Sequence, residues 1–330
     1  MADRPGGPEA KLGVTVRAVR NEAQRIKTFD LVDHAGQELP AFTAGAHIDV
    51  EVPGGFIRQY SLCNSPSDRR RYEIAVLDVE DGRGGSRAMH TQVRGDDTLW
   101  VSPPRNDFPL HEDARHHLLV AGGIGITPIM SMLERLNSIQ ACYAVVYCTR
   151  SPQQTAFTER LSRVASGRLT LHHDYGDPER SLDIRTLLAT WKPDTHLYYC
   201  GPSGMMAAAA AATAHWPPGS VHSEYFTAAP PPTAQAGGPD FLPDGAFEVE
   251  LARRGVVLTV TADKTIVETL REAGIEHETS CEAGVCATCR TRYLAGTPDH
   301  RDFILDDTER DEYLTICCSR SASARLVLDL

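Results

Sequence analysis

Three cysteines crowd into nine residues near the end of the chain, at Cys281, Cys286 and Cys289, and a fourth follows at Cys317. The spacing C-x4-C-x2-C with a distant fourth thiol is typical of a plant-type [2Fe-2S] cluster, in which four thiolates hold two irons. The intervening Glu, Ala, Gly and Thr residues suit a tight loop rather than a helix face or a strand. Structural zinc sites usually repeat a C-x2–4-C pair, and here only one separate pair occurs, because Cys286 belongs to both spacings. The spacing therefore predicts an iron–sulfur centre rather than a zinc site.

The fourth thiol has two candidates, because Cys318 follows Cys317 directly. On a strand, adjacent side chains point to opposite faces, so only one of the two can face the cluster. Both thiols stay open as the fourth ligand at this point.

A second candidate site begins with Arg58-Gln59-Tyr60-Ser61, on a predicted strand. An aromatic ring, a guanidinium and a hydroxyl grouped this closely can flank a planar ring that carries a phosphate, although such residues also occur on ordinary barrel rims. Further on, the glycine-rich stretch 81–86 leads into a predicted helix over 87–93. Its converging amides, with Ser86 as a cap, favour an anion, and a plain flexible turn is the alternative.

A third candidate site follows the predicted buried strand 117–121, which runs directly into Gly122-Gly123-Ile124-Gly125-Ile126-Thr127-Pro128. We expect Thr127 to cap a helix whose first residue is Pro128. A strand, a glycine turn and a helix in this order can place a pyrophosphate at the helix N-terminus. The spacing differs from G-x-G-x-x-G, so it does not by itself predict a Rossmann fold.

The elements around these sites predict three domains. Short alternating strands over 11–110, at 14–16, 47–52, 59–62 and 72–77, predict an antiparallel β-barrel. Strands that alternate with helices over 111–226, with helices at 154–164, 182–190 and 203–215, predict an α/β domain with about five parallel strands. Ligands of such sheets gather at the carboxyl ends of strands, where Thr149-Arg150 and Cys200-Gly201-Pro202 fall. The Pro- and Ala-rich segment 227–245 is a predicted linker, and 246–330 a small α+β domain with a hairpin, a helix and the cysteine loop.

The composition is that of a globular protein, with 42% hydrophobic and 23% charged residues. A net charge of −11 argues against a nucleic-acid partner. The apolar runs are too short to cross a bilayer, and the first residues do not form a signal peptide, so we expect a cytoplasmic protein without a membrane partner. From Ala246 onward, 16 acidic residues stand against 10 Lys and Arg, which favours either a basic partner or a merely solvated surface.

These motifs, in this order, resemble the phthalate dioxygenase reductase family, single-chain reductases of Rieske oxygenases. The resemblance runs from about residue 11 to the C-terminus and includes the segments 58–62, 82–86, 104–110, 122–128 and 200–202, together with the cysteine motif. It implies an FMN-binding β-barrel, a ferredoxin reductase-like α/β domain that binds NADH, and a plant-type ferredoxin domain.

The resemblance also implies roles for individual residues. Arg58, Tyr60 and Ser61 would contact the flavin, and Arg83, Gly84, Gly85 and Ser86 would hold the FMN phosphate. Gly122, Gly123, Ile124, Gly125 and Thr127 would form the dinucleotide turn, with Thr149 and Arg150 at the next strand end and Cys200, Gly201 and Pro202 beside the nicotinamide. Phe226 would lie near the flavin, and Ser61, Cys200 and Phe226 would position the reacting rings. The metal ligands would be Cys281, Cys286, Cys289 and Cys317, with Cys317 aligned in preference to Cys318.

We therefore expect electrons to pass from NADH through FMN and the cluster to a separate Rieske oxygenase, in a transient complex with a monomeric reductase. A nicotinamide gives two electrons as a hydride and the cluster takes one at a time, so a flavin is needed between them. Alternatives are another acceptor, such as a cytochrome P450, or a redox sensor. Arg150 could also pair with the 2′-phosphate of NADPH.

Overall fold

The computed structural model describes residues 11–80, 82, 84–226 and 245–330. The chain divides into two compact units, Met1–Glu224 and Tyr225–Leu330. Asp81, Arg83 and the predicted linker up to residue 244 lie outside the described residues. The predicted domain boundaries stay predictions.

An antiparallel sheet of six strands occupies the first part of the first unit, in the order β4-β3-β6-β1-β2-β5. An isolated bridge between Leu62 and Ile74 joins the end of β4 to β5 and closes the sheet, as the predicted barrel requires. Alternate side chains fill the interior, among them Val14, Phe29 and Ile48. The elements are β1 Leu12–Ala23, β2 Ile26–Asp33, β3 His47–Val52, β4 Phe56–Ser61, β5 Tyr72–Leu77, α1 Gly85–Gln92 and β6 Thr98–Val101.

The hairpin of β1 and β2 goes beyond the sequence expectation, which placed a strand only at 14–16. Ion pairs stabilise the hairpin, because Arg17 and Arg20 lie 3.2 and 2.9 Å from the buried Asp30 carboxylate. Arg71 reaches the same carboxylate at 2.6 Å. A buried acid with several guanidinium partners breaks the apolar alternation that sequence reasoning relies on.

A second sheet in the first unit consists of parallel strands in the order β11-β10-β7-β8-β9. The chain enters at the central β7, moves outward to β9, and returns on the other side with β10. Ligands of open α/β sheets bind at this reversal, between β7 and β10. The elements are β7 His116–Gly122, α2 Ile126–Ser138, β8 Tyr143–Thr149, α3 Thr158–Val164, β9 Leu169–His173, α4 Ile184–Leu188, β10 Thr195–Cys200, α5 Ser203–Ala212 and β11 Val221–Glu224.

The predicted parallel strands are confirmed, but three helices are shorter than expected. The predicted helix over 154–164 begins only at Thr158, because Phe157 adopts a left-handed backbone with φ 59°. The helices predicted over 182–190 and 203–215 form only as α4 and α5.

The second unit has a sheet in the order β13-β12-β18-β14-β16 and a small ladder of β15 and β17. The predicted hairpin and helix are confirmed, and Thr265 and Glu268 form a capping box at the start of the helix. The elements are β12 Phe247–Leu251, β13 Val256–Val260, α6 Ile266–Glu272, β14 Arg290–Ala295, β15 Pro298–Asp299, α7 Asp307–Arg310, β16 Tyr313–Thr315, β17 Arg320–Ser321 and β18 Arg325–Leu328. Within the described ranges, no helix has the length and apolar character needed to cross a membrane.

Candidate functional site

The residues predicted to contact a flavin lie on β4, which pairs with β3 in antiparallel register. The Tyr60 hydroxyl oxygen and the Gln59 side-chain nitrogen are buried and have no hydrogen-bond partner among the described residues. Burial raises the pKa of Tyr60, so its hydroxyl keeps its proton. Buried polar groups are normally satisfied. These two groups therefore fit a bound molecule that offers hydrogen-bonding atoms.

Arg58 reaches from the same strand to the start of α1. A Cβ atom on Gly85 would lie 2.7 Å from Cγ and 2.8 Å from Nε of Arg58, so glycine alone admits this side chain. Gly84, with φ 84°, is the N-cap and provides no side-chain cap. A guanidinium beside an uncapped helix N-terminus fits a phosphate group.

The expected role of Ser86 as the helix cap is wrong. Its Oγ instead accepts a hydrogen bond at 3.2 Å from the backbone N–H of Val79. The left-handed conformation of Gly84 starts the helix two residues earlier than a Ser86 cap requires, which leaves the first amides of α1 without a side-chain partner.

Two glycine turns meet at the carboxyl ends of β7 and β10. A Cβ atom on Gly125 would lie 2.3 Å from the carbonyl oxygen of Cys200, and one on Gly201 would lie 3.0 Å from Cα of Gly122. A Cβ atom on Gly122 would meet Cδ of Pro202 at 2.6 Å. The sheet thus brings the two predicted nucleotide motifs into backbone contact, although about 75 residues separate them. This cradle fits a dinucleotide, whose pyrophosphate needs close backbone approach.

The start of α2 differs in detail from the sequence expectation. Residues Gly123–Gly125 form a short 3-10 turn, and Gly125 rather than Thr127 is the N-cap. Thr127 lies inside the first turn, and its hydroxyl donates to the carbonyl of Ile124 at 3.0 Å. Gly123, with φ 54°, tightens the turn so that the helix begins at Ile126.

Thr149 and Arg150, at the end of β8, have different surroundings. Thr149 is buried, and its hydroxyl lies 2.8 Å from Oγ1 of Thr155 and 2.9 Å from Nδ1 of His173. Arg150 is exposed. The Thr149 hydroxyl thus connects the ends of β8 and β9, while the Arg150 side chain is exposed to solvent.

Ser61 and Cys200 come together around Glu224, which was not among the predicted site residues. Ser61 donates to Oε2 of Glu224 at 3.2 Å, and Glu224 pairs with Cys200 in the register of β10 and β11. Burial raises the pKa of Glu224 to about 8, the Ser61 hydrogen bond opposes that shift, and nearby Asp107 adds to it. Burial likewise raises the pKa of the Cys200 thiol, which is therefore a neutral packing group. Phe226 belongs to the second unit, and 36% of its surface is exposed.

The cysteine loop of the second unit turns its amides toward sulfur. Cys281 Sγ accepts from the N–H groups of Ala283 and Val285 at 3.3 and 3.4 Å. Cys286 Sγ accepts from the N–H of Cys281 at 3.4 Å. Left-handed residues at Glu282, Gly284 and Ala287 produce the curl of the loop. Amides directed at sulfur fit thiolate ligands of an iron–sulfur cluster.

The four predicted ligand thiols gather at this loop. Cys281 contacts the thiols of Cys286 and Cys317, and Cys317 also contacts Cys289. Hydrogen bonds from Cys286 and Cys317 lower the pKa of the Cys281 thiol well below its ordinary value. In the described part of the chain, no three His, Cys, Asp or Glu side chains are arranged around one metal ion.

The alternation argument for Cys317 and Cys318 is wrong. Strand β16 ends at Thr315, and residues 316–318 form a turn in which Cys318 N donates to Thr315 O at 3.3 Å. Cys317 is 2% exposed and packs in the core of the unit. Cys318 Sγ lies 2.5 Å from the position that a Cβ on Gly284 would take, so it also borders the cysteine loop. Cys317 as the fourth ligand stays a prediction.

The comparisons with known proteins agree with this geometry. A profile of the 2Fe-2S iron-sulfur cluster binding domain matches residues 249–322, and a profile of the N-terminal domain of dimethylamine monooxygenase subunit DmmA-like proteins matches 99–217. The reductase subunit of tert-butanol monooxygenase / tert-amyl alcohol desaturase from Aquincola tertiaricarbonis is 47% identical, over 98% of this chain and 97% of that protein. The reductase subunit of phthalate 4,5-dioxygenase from Pseudomonas putida is 42% identical, over 96% of both chains.

Among solved structures, phthalate dioxygenase reductase superposes with a TM-score of 0.79 and 39% identity, over 97% of this chain and 98% of that one. That protein is described as a modular structure for electron transfer from pyridine nucleotides to [2Fe-2S]. The chain belongs to the phthalate dioxygenase reductase family. The predicted family and fold class are thereby confirmed.

As a phthalate dioxygenase reductase family member, the chain is an oxidoreductase that works in electron transfer. The predicted cofactors FMN, NADH and a [2Fe-2S] cluster are confirmed as those of the family. The assignment of individual residues to these cofactors is a prediction that rests on the geometry above. Arg83 lies outside the described residues.

Proposed function

We propose that this chain takes two electrons from NADH in its first unit and delivers them singly, through the cluster of its second unit, to a Rieske-type oxygenase. The observation that carries the proposal is the combination, in one chain, of a glycine cradle for a dinucleotide with a cysteine loop whose amides are directed at sulfur. The flavin, when bound, supplies the exchange between two-electron and one-electron chemistry.

In the first unit, residues of the chain bind and orient FMN and the nicotinamide dinucleotide. Arg58 and the amides at Gly84 and Gly85 hold the phosphate of FMN, and Tyr60 and Ser61 line its ring. The cradle of Gly122, Gly125 and Gly201 lets the backbone approach the dinucleotide, and the neutral Cys200 thiol packs beside the nicotinamide. Positioning of this kind fixes the distance between reacting rings, which governs the rate of transfer.

In the second unit, Cys281, Cys286, Cys289 and Cys317 hold the irons, and the amides of Ala283 and Val285 stabilise negative charge on sulfur. Hydrogen bonds to the sulfurs raise the reduction potential of such a cluster.

The proposed partner is a terminal oxygenase that meets a monomeric, cytoplasmic reductase transiently. The named relatives are reductase subunits of a monooxygenase and of a dioxygenase, which supports an oxygenase as the acceptor. The exposed residues Glu276 and Glu278 precede the cysteine loop, and together with the acidic excess of the unit they suit a basic docking surface.

Anaerobic titration with NADH tests the proposal. We expect flavin absorbance to bleach first and the cluster spectrum to change next, with NADH-driven reduction of cytochrome c. A preparation with cluster absorbance but no flavin, and no reduction of cytochrome c, would contradict it. Turnover with purified Rieske oxygenases and a cytochrome P450 identifies the acceptor class, and kcat/KM for NADH against NADPH tests the nucleotide preference.

A further inference from the structure

A row of titratable groups runs from the flavin strand to the surface of the first unit. Glu224 lies next to Ser61, and its other oxygen, Oε1, is 3.9 Å from Nδ1 of His47. The second ring nitrogen of His47, Nε2, is 3.9 Å from Oδ2 of Asp107. The side chains of His47, Glu224 and Asp107 are 2%, 13% and 36% exposed. The imidazole therefore lies buried between an inner and an outer carboxyl group.

Separate elements hold these groups in place. His47 begins β3 and pairs with Ser61 at the end of β4, while Glu224 ends β11 in the other sheet. The backbone of His47 is bridged to Arg105, which places Asp107 two residues along the same segment. Other polar groups near this row include the neutral Cys200 thiol beside Glu224 and Arg105, whose guanidinium is paired with Asp49 at 2.7 Å.

The chemistry of the proposed function, on which this inference depends, requires proton exchange with water. NADH, FMN and one proton give NAD⁺ and FMNH₂, and the loss of two electrons to the cluster returns FMN and two protons. For each NADH, one proton must therefore enter the site and two must leave. Among the groups assigned to cofactor binding, Ser61 donates to Glu224 and the Cys200 thiol stays protonated, so these two groups need further residues to connect them with water.

We propose that His47 relays protons between the inner carboxyl group of Glu224 and the outer carboxyl group of Asp107. An imidazole accepts a proton at one nitrogen and gives one up at the other, and here each nitrogen faces a different acid. Each 3.9 Å gap exceeds a hydrogen bond, so each transfer requires a rotation of the imidazole ring or of a carboxyl group that brings the two atoms together. The raised pKa of Glu224, about 8, lets that group both bind and release a proton near neutral pH. His47 thus acts through Glu224 and does not touch the reacting rings.

The test measures proton uptake directly. FMN-loaded protein in weak buffer with a pH-indicator dye is mixed with NADH, and flavin and dye absorbance are followed together. In His47→Gln we expect flavin reduction by hydride at the wild-type rate and proton uptake delayed about tenfold or more, with recovery in added imidazole. His34→Gln, which changes an exposed histidine of the same unit, is the matched control and should behave as wild type.

Asp107→Asn provides a second variant at the exposed end of the row, in case His47→Gln does not fold, and we expect it to delay uptake about threefold or more. Wild-type uptake in a folded His47→Gln, or in Asp107→Asn if His47→Gln does not fold, would overturn the relay. If NADH fails to reduce the flavin even in the wild-type protein, the proposed function fails instead, so the two failures are distinguishable. The solvent deuterium isotope effect on uptake adds a readout that a merely structural role of His47 would not change.

Discussion

The glycine cradle of the first unit and the cysteine loop of the second unit are built on opposite principles. The cradle, formed by Gly122, Gly125 and Gly201, depends on the absence of side chains at positions distant in sequence. The loop depends on the presence of four thiols, three of them within nine residues. One site is a property of the sheet, and the other is a property of a short segment.

This difference determines what each site tolerates. The cradle forms when β7 and β10 pair, so the fold holds it whether or not a nucleotide is present. The loop consists largely of turns, and its thiols and amides are organised around sulfur. Metal ligation contributes folding energy to such segments. We therefore expect the two sites to fail independently, and each by a different kind of substitution.

The largest expected effect is the loss of the cluster from Cys286→Ala. Removal of one of four thiolates should lower iron content at least about tenfold and abolish the cluster spectrum, since even indirect partners of metal ligands change affinity by that factor. Flavin content and NADH-driven reduction of ferricyanide should stay near wild type. Iron analysis and visible spectra measure this, and a parallel loss of flavin would break the proposed independence of the two units.

The matched pair Cys317→Ala and Cys318→Ala sharpens the same comparison. Alanine is preferred because a serine oxygen can itself bind iron. We expect cluster loss only in Cys317→Ala, because Cys317 contacts both Cys281 and Cys289. Loss only in Cys318→Ala would reassign the fourth ligand.

The next largest expected effect is the converse, a loss of activity with NADH while the cluster is kept. The addition of a single methyl group should produce it. Gly125→Ala places a carbon 2.3 Å from the carbonyl oxygen of Cys200, so the two turns must separate. A displacement of about 1 Å can reduce a rate about 100-fold, and we expect kcat/KM for NADH to fall at least about tenfold. Cluster content should not change. Gly95→Ala, where no atom lies within 4 Å of the added carbon, is the control. Wild-type kinetics in a folded Gly125→Ala would contradict the cradle.

The same contrast explains how far the sequence could be interpreted. The cysteine spacing lies within a short segment and predicts an iron–sulfur cluster directly. The glycine motifs predict only turns at strand ends. Their meeting depends on the reversal between β7 and β10, which periodicity does not reveal. Glu224, His47 and Asp107 are ordinary residues in sequence, and only the pairing of β3, β4, β10 and β11 places them together.

Some local predictions were wrong because the backbone conformation, rather than residue propensity, determined the structure. Ser86 and Thr127 are good capping residues, yet Gly84 and Gly125 start the two helices, because glycine reaches turns that other residues avoid. The two adjacent cysteines were assigned to opposite faces of a strand, although the chain turns there. Asp30 interrupts an apolar pattern, and its arginine partners come from separate segments, so β2 was missed.

A smaller effect concerns stability at high pH in the first unit. The folded pKa of Glu224 is about 8 against an ordinary value of 4.5, because burial disfavours the charged carboxylate. The folded state thus binds this proton more tightly, so the contribution is complete below pH 4.5 and is lost as pH rises through 8. Glu224→Gln should remove this loss, which we expect to be about 2 kcal/mol between pH 5 and 9, after a discount for partial exposure. Thermal unfolding of FMN-loaded protein measures it. Glu80→Gln, an exposed acid, is the control, and an equal pH slope in Glu224→Gln and wild type would refute the assignment.

The smallest effect has the opposite sign and arises on the same edge strand, β11. His222 stacks on His111 with ring centroids 4.6 Å apart, and its Nε2 lies 2.9 Å from Nδ1 of His196. Burial, and then the charges of His111 and His196, lower the pKa of His222 to about 4. A depressed histidine stabilises the fold above its ordinary pKa of 6.5, and the contribution is lost as pH falls from there toward 4.

His222→Gln should therefore make the first unit less sensitive to acid, by about 1 kcal/mol at pH 5, while His215→Gln, an exposed histidine, should not. Because Glu224 acts on the alkaline side and His222 on the acid side, the double variant should flatten both limbs of the stability profile of the first unit. Iron content of the second unit between pH 5 and 9 should be the same in all of these variants. A variant that changed it would show that the cysteine loop senses the protonation of the first unit, and the two regions would then not be independent.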